Sequence, residues 1–205
     1  MKTFVGNLLL LTLLAFIAPV SAQGTAPDVL IRNTVDEVVA VLKKDDGIRA
    51  GNQDRVLGLV REKILPHFNF TRMTQLAMGK NWSLADPEQK KSLVKEFRAL
   101  LVRTYSNSLT TYRDEVIKVG SANVSAQDTK ATVKTQVIQG GGKQPVPIDY
   151  AMEKSDGTWK VYDVTVAGVS LVTNYRGTFN TQIKDGGVNG LITALAEKNA
   201  SMQGK

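Results

Sequence analysis

The sequence contains no cysteine and only one histidine, His67. Without cysteine there are no disulfide bonds, thiolate metal sites or cysteine nucleophiles, so packing alone must hold the fold together. A single histidine excludes a metal site with two histidine ligands and an acid–base relay of several histidines. We interpret His67 as a loop or helix-end residue beside Phe68. These absences argue against an enzyme.

Sequence motifs for nucleotide binding and hydrolysis are also missing. There is no G-x-S-x-G segment, and the glycine clusters match neither a phosphate-binding loop nor a dinucleotide fingerprint. The glycines at 140–142 lie between two predicted strands, where a turn accounts for them. The acidic pairs Asp36-Glu37 and Asp45-Asp46 have no other ligand nearby in sequence, which favours solvated charge. No metal site is predicted.

Long apolar runs are scarce, and the one exception lies at the N-terminus. Residues 1–22 combine a positive start at Lys2, a short apolar run at 8–17 and the small residues VSA at 20–22. This order is typical of a secretory signal peptide, with cleavage before Gln23. The run is shorter than the roughly 20 residues that span a bilayer. The sequence therefore predicts an exported protein.

Length and net charge further restrict the class of protein. Removing 22 residues from 205 leaves 183, which predicts one domain over 23–205. The formal net charge is +7, and loss of Lys2 lowers it by one. In an exported protein a basic surface favours phospholipid headgroups or acidic protein faces, and we predict no nucleic-acid partner. A cysteine-free exported chain fits the periplasm of a Gram-negative bacterium.

The first half of the chain predicts helices. Apolar residues recur there at helical spacing, and caps mark the helix starts. The clearest start combines Asp86 as a cap, Pro87 as the first helical residue and Gln89 as the capping-box partner. The predicted helices cover about 27–42, 52–65, 69–79 and 86–112.

From residue 115 onward the pattern changes to alternation, which predicts strands. Asp156-Gly157 is a tight hairpin signal between the last two. After Gly168 the pattern is helical again, with a last short helix at 191–198. The expected fold is α+β: N-terminal helices, an antiparallel sheet of about four strands and C-terminal helices. The predicted strands cover 116–124, 131–137, 148–153 and 159–166.

Asp163 is unusual because it lies within the apolar strand WKVYDVTV. A lone buried carboxylate is costly unless it is paired. We predict a structural ion pair between Asp163 and Arg176 that fixes the following helix to the sheet. A catalytic aspartate is the alternative.

The apolar faces of the predicted helices and strands are compatible with two architectures. The helices and the half-polar sheet either close into a dry core or leave a deep apolar cavity between them. The pattern alone favours the dry core, because apolar stripes usually form core.

Four segments carry a resemblance to a known family: ILPHFNFTRMTQLAMGKNW (64–82), DPEQKKSLVKEFRALLVRTYSNSL (86–109), WKVYDVTVAGVSLVTNYRGTF (159–179) and GVNGLITALAEK (187–198). Together they resemble the MlaC family, also called the toluene-tolerance auxiliary family. They occur in the family's order and cover nearly all of the chain after the leader. One departure is Asn69, where the family usually has aspartate; asparagine keeps a capping side chain but puts any charge pairing there in doubt.

The resemblance implies a periplasmic carrier rather than an enzyme, with no cofactor. Such a carrier binds the acyl tails of a glycerophospholipid in a deep apolar cavity between helices and sheet, in a cone-like fold similar to nuclear-transport-factor-like proteins. It shuttles lipid between outer and inner membranes and so maintains outer-membrane lipid asymmetry. The implied partners are an outer-membrane lipoprotein–porin complex, the substrate-binding subunit of an inner-membrane ABC transporter and, transiently, the membrane surface.

Two other functions stay open at this point. One is a small-molecule enzyme with a cone-shaped, isomerase-like fold that uses Asp163 or a pocket tyrosine. The other is an exported adaptor that binds proteins only.

The predicted site residues fall into two groups. The lipid-binding group comes from the long helix, the inner side of the sheet and the helix after it: Phe97, Leu101, Tyr105, Leu109, Val133, Val137, Ile148, Tyr150, Met152, Val164, Leu171, Val172, Tyr175 and Phe179. A basic patch for a partner or a membrane surface consists of Lys90, Lys91, Lys95 and Arg98.

Overall fold

Within residues 25–202, helices precede and follow a single antiparallel sheet, so the predicted α+β class is confirmed. The structure is a computed structural model that describes residues 25–202, and the predicted leader at 1–22 lies outside them. The helices are α1 (Pro27–Lys44), α2 (Asp46–Arg49), α3 (Gln53–Leu59), α4 (Phe70–Met78), α5 (Pro87–Thr110) and α6 (Leu171–Ser201). The strands are β1 (Val116–Val119), β2 (Lys130–Ile138), β3 (Val146–Ser155), β4 (Thr158–Val166) and β5 (Val169–Ser170).

The helix starts lie where the capping residues predict them. The side chains of Asn52 and Asn69 accept hydrogen bonds from the backbone N–H groups three residues on, which begins α3 and α4. Asp86 and Gln89 form the complete capping box of α5. After α3 the chain continues through a π-helical turn at Val60–Ile64 and a 3-10 turn at Leu65–His67, which contains Pro66.

The sheet has five strands in sequential order, β1-β2-β3-β4-β5, and every neighbouring pair is antiparallel. The additional strand β5 has only two residues, too few for an alternating pattern to predict. Strand β1 ends at Val119 instead of residue 124. The N–H of Gly120 still donates to the carbonyl of Lys134, and the chain then leaves the sheet.

A bulge in β4 keeps its apolar residues on one face. Ala151 pairs with Asp163 and Met152 with Val161, so Tyr162 is an extra residue on β4. The bulge shifts the alternation by one position. Val161 and Val164, three residues apart, therefore both face the side of the sheet on which the helices pack.

The C-terminal helical region is one kinked element rather than two separate helices. Gly187 has φ 67° and ψ −168°, which breaks α6 and redirects the segment that follows. The predicted short helix at 191–198 lies in this second segment. No described helix, α6 included, has the length and apolar character that crossing a membrane requires.

Three groups of buried apolar side chains hold the layers together. The helix cluster lies between α4, α5 and α6, the sheet cluster lies between the sheet and α1, and the N-terminal cluster joins α1, α2 and α3. Phe68 packs against both the helix cluster and the sheet cluster. The main members are Met73, Leu93, Phe97, Val172, Phe179 and Leu191 in the helix cluster; Ile31, Val133, Met152, Trp159, Val161 and Val164 in the sheet cluster; and Val38, Leu42, Ile48, Val56, Leu59 and Val60 in the N-terminal cluster.

Candidate functional site: an apolar sheet face open at one end

The strand register places the sheet residues of the predicted lipid site on one face, which we call the inner face. Val133 pairs with Tyr150, and Tyr150 pairs with Val164. Ile148 lies two residues from Tyr150 on β3 and Val137 four residues from Val133 on β2, so both share this face. Ile31 of α1 packs on the inner face, and Leu171 at the start of α6 contacts the same cluster.

Burial of the inner face changes from one end to the other. At one end Val133, Met152 and Val161 are completely buried. At the opposite end Val146 is only half-buried, and Val169 is 57% exposed. The helices therefore cover one end of the inner face, which we call the closed end, and leave apolar surface accessible at the other, which we call the open end.

Helix α6 begins next to β5 at the open end, and two tyrosines, Tyr175 on α6 and Tyr105 on α5, are only partly buried. Tyr175 is half-buried and contacts Phe97, with ring centroids 5.1 Å apart, and Tyr105 is 37% exposed. Burial, with a smaller contribution from Tyr175, raises the pKa of the Tyr105 hydroxyl. Burial also raises the pKa of Tyr150, and a hydrogen bond with Thr135 acts in the opposite direction. Tyr105 and Tyr150 are neutral phenols near pH 7, suited to lining a site and unsuited to acting as bases.

The predicted ion pair between Asp163 and Arg176 is wrong. The Asp163 carboxylate accepts hydrogen bonds from the N–H of Val164 at 2.8 Å, the Ser170 hydroxyl at 2.6 Å and the N–H of Val172 at 3.2 Å. Arg176 lies more than a turn further along α6. It donates instead to the carbonyl of Leu76 at the end of α4, through Nε at 3.2 Å and Nη2 at 2.9 Å.

Asp163 still connects the sheet to α6, although through neutral donors. Ser170 is the N-cap of α6, because its hydroxyl oxygen accepts from the N–H of Thr173 at 3.0 Å while its O–H donates to Asp163. Hydrogen bonds to a carboxylate satisfy its charge without a cation. The three donors on its two oxygens give Asp163 a structural role in joining β4 to α6. The alternative of an enzyme that uses Asp163 therefore gains no support.

The fourteen predicted lipid-binding residues do not form one continuous lining. The structure divides them among the three clusters, and two of them, Val137 and Tyr105, belong to none. Phe97, Leu101, Val172, Tyr175 and Phe179 belong to or contact the helix cluster; Val133, Ile148, Tyr150, Met152, Val164 and Leu171 belong to or contact the sheet cluster; and Leu109 contacts the N-terminal cluster.

Two open clefts on the surface lie away from these fourteen residues. The first, of about 470 Å³, lies between α4 and α6, and the second, of about 730 Å³, lies between the end of α1 and the start of α3. Neither is lined by a predicted lipid-binding residue. Within residues 25–202, no group of three or more acidic or histidine side chains is placed to hold a metal ion.

Three residues of the predicted basic patch are exposed and the fourth, Lys90, is half-buried; all four charges have local neighbours. The Lys90 ammonium lies 5.3 Å from the ring centre of Trp82, and the Arg98 guanidinium lies 5.5 Å from that of Phe70. Lys91 pairs with Glu88 at 2.7 Å, and Lys95 lies 3.4 Å from Glu96. The pair of Lys91 and Glu88 is exposed on both sides, and an exposed pair of this kind contributes little to stability and remains available for exchange with a partner's acidic groups.

Residues at the open end were not predicted from the sequence. Val146 and Val166 continue the inner face of β3 and β4, and Val169 extends it into β5. The alternation at 148–152 extends to Val146, so that residue carried a usable signal. Val169 carried none, because a two-residue strand has no periodicity.

An antiparallel sheet wrapped by helices, with an apolar face covered at one end and accessible at the other, is typical of the class of α+β proteins that hold a small apolar ligand between layers. The chain belongs to the MlaC family, whose model, described as MlaC protein, matches residues 32–197.

Known relatives are similar over most of the chain. One is the intermembrane phospholipid transport system binding protein MlaC of Haemophilus influenzae, 25% identical over 93% of this chain and 91% of its own length. Another is the toluene tolerance protein ttg2D of Pseudomonas putida, 25% identical over 83% of this chain and 79% of its own length. A solved structure of a phospholipid-binding protein from Ralstonia solanacearum, in complex with a phospholipid, is 38% identical and covers 87% of this chain and 99% of its own, with a TM-score of 0.79.

Proposed function

We propose that this protein binds the acyl tails of a glycerophospholipid between the inner face of its sheet and the surrounding helices. It carries that lipid between the outer and inner membranes and so maintains outer-membrane lipid asymmetry. The observation that carries the proposal is the inner face, which is apolar apart from the buried Thr135 and is exposed at one end. The Ralstonia relative, in complex with a phospholipid, supports the choice of ligand.

The energetics explain why a carrier needs such a face. Two acyl tails contain about 30 methylene groups, and exposing them to water costs on the order of 24 kcal/mol at about 0.8 kcal/mol each. The tails start in a bilayer that is itself apolar. Transfer into an apolar site is therefore close to neutral, so loading and release are both possible, and the membrane partners set the direction.

The tails would enter from the open end and lie between the helix cluster and the sheet cluster. These clusters are separate groups of buried side chains that share the neighbour Phe68. The consecutive residues Leu171 and Val172 contact different clusters. Separating the two layers near the start of α6 would create a cavity lined by predicted residues from both, without unfolding either.

The same proposal covers location and partners. Residues 1–22 act as a signal peptide, cleaved before Gln23, and 23–205 form one phospholipid-binding domain in the periplasm. The protein catalyses no reaction and needs no cofactor. Lys90, Lys91, Lys95 and Arg98 contact acidic groups of the outer-membrane lipoprotein–porin complex, the inner-membrane ABC transporter subunit or the membrane surface. Support comes from the intermembrane phospholipid transport named for the Haemophilus relative.

A tryptophan on the inner face tests the acyl site. Val164 is 8% exposed in the sheet cluster, and Val164→Trp should lower the bound phospholipid per protein by about half, because added volume replaces ligand space. Val116→Trp is the matched control, since Val116 is 56% exposed and precedes the inward-facing Ile117 on β1. Bound lipid is measured by extraction and mass spectrometry. Equal lipid content in both folded variants and the unmodified protein would contradict the site.

A further inference from the structure

The open cleft between α4 and α6 has an unusual charge composition. Of the eight residues that line its volume of about 470 Å³, three are cations, Arg72, Lys80 and Arg176, and none is acidic. Two more, Gln75 and Asn180, carry side-chain amides. The cleft is distinct from the acyl site, because none of its lining residues is a predicted lipid-binding residue and none lies on the sheet.

The polar side chains of the cleft present more hydrogen-bond donors than acceptors. Arginine and lysine carry donors only. The amide oxygen of Gln75 already accepts from Arg72 Nη1 at 2.9 Å, and the amide oxygen of Asn180 accepts from Asn81 Nδ2 at 2.7 Å. Both amide nitrogens are therefore left as donors. A ligand that fits this lining must be rich in acceptors.

The two arginines are held in place before any ligand binds. Two hydrogen bonds to the carbonyl of Leu76 fix the Arg176 guanidinium and leave its Nη1 unused. Arg72 is fixed by Gln75 and by Glu153, whose carboxylate lies 3.5 Å from Arg72 Nε. Within residues 25–202, no carboxylate pairs with the ammonium of Lys80 or with Arg176. Preorganised donors lower the entropic cost of binding.

The backbone leaves space between these groups. Gly79 has φ +55°, and a Cβ added there would meet only Arg176 Nε, at 4.0 Å. The carbonyl end of α4 carries a partial negative charge that opposes an anion, and the bonds from Arg176 to Leu76 offset it. With Arg72 balanced by Glu153, the charges of Arg176 and Lys80 make the cleft net positive.

We propose that this cleft binds a phosphate-type oxyanion, carried by a phospholipid headgroup at a membrane surface or by free phosphate. Planar guanidinium groups match the oxygens of phosphate in pairs, and the lysine and amide donors complete the set. This second site goes beyond the proposed acyl site and does not depend on it.

Two binding measurements on the leader-free chain test the proposal. In the first, inorganic phosphate is titrated into labelled protein at constant ionic strength while the Arg72 and Arg176 side-chain NMR signals are followed. We expect saturable shifts, and Lys80→Gln should weaken phosphate binding about threefold or more by removing one charge. Lys184→Gln, an exposed position on α6 outside the cleft, is the control with the same change in charge and should bind like the unmodified protein.

The second measurement distinguishes the two sources of phosphate. Flotation with phosphatidylglycerol vesicles that is reduced in Lys80→Gln but not in Lys184→Gln identifies a membrane headgroup, whereas phosphate binding without that difference identifies free phosphate. The proposal is overturned if phosphate causes no saturable shifts, or if Lys80→Gln and Lys184→Gln weaken phosphate binding equally. The lipid recovered in the acyl site should be the same in both variants, so failure here is separable from failure of the carrier function.

Discussion

Single polar side chains in this protein connect elements that apolar packing alone would leave free to slide. Asp163 joins β4 to the start of α6, and Arg176 joins the middle of α6 to the end of α4. Asn69 begins α4 and also donates from Nδ2 to Glu153 on β3, at 3.2 Å. An aspartate at position 69 could cap the helix but has no donor for Glu153. Asparagine therefore provides both the cap and the contact with β3.

Asp163→Asn should destabilise the fold and leave lipid binding largely intact. The amide provides one acceptor oxygen in place of two and turns a donor towards groups that are themselves donors, which costs about 1–3 kcal/mol. Thermal unfolding measures the loss. Asp185→Asn, an exposed position on α6, is the control and should unfold like the unmodified protein. Loss of bound lipid at an unchanged melting temperature would show instead that Asp163 acts on the ligand.

His67 should make stability sensitive to mild acid. Burial, and secondarily Lys160, lowers its pKa from the ordinary 6.5. The folded state therefore resists protonation, whereas the unfolded state takes up a proton near its ordinary pKa. The contribution of His67 to the free energy of unfolding is therefore fully present above the ordinary pKa of 6.5. It decreases as the pH falls from that value towards the lower pKa of His67 in the folded protein.

His67→Gln removes this titration. The melting temperature of the variant should change less between about pH 7 and pH 5 than that of the unmodified protein. Differential scanning calorimetry at several pH values measures the slope. Parallel slopes in the two proteins would show that other groups cause the acid sensitivity.

At the scale of elements, the sequence predicted best what local contacts determine. The Asp86-Pro87-Gln89 signal predicted the start of α5 because its partners are three residues apart. The inner face of the sheet was predicted because apolar and polar residues alternate along β2 and β3, and the apolar ones lie on one face in the structure. The ion pair failed because Arg176 finds its partner on α4, a hundred residues away in sequence, and no local pattern encodes that choice.

Gly187→Ala should destabilise α6 because its backbone conformation requires glycine. With φ 67° and ψ −168°, a Cβ is strained even though open space surrounds it, at a cost of roughly 1–3 kcal/mol. Gly186→Ala is the matched control, since its φ is not positive and its Cβ also meets open space. Alanine there should be neutral or stabilise by up to about 1 kcal/mol. Equal unfolding free energies in the two variants would contradict this account of the kink.

At the scale of the whole molecule, the sequence predicted the helical and sheet layers and the apolar inner face of the sheet. It did not predict which apolar residues belong to the core and which belong to the ligand site. Phe97 and Val133 have the same apolar pattern as Ile148 and Val137, yet the first pair is completely buried and the second is half-buried. Periodicity reports which face of an element is apolar and carries no information about what covers it. Only the assembled layers reveal that the cover ends before Val146 and Val169.

The most direct test of the central claim, that the two layers hold phospholipid between them, is native mass spectrometry of the protein released gently from cells. We predict one population whose mass exceeds that of the chain beginning at Gln23 by one phospholipid, and organic extraction should remove that excess. A spectrum that contains only the bare chain, from protein never exposed to detergent or organic solvent, would contradict the account.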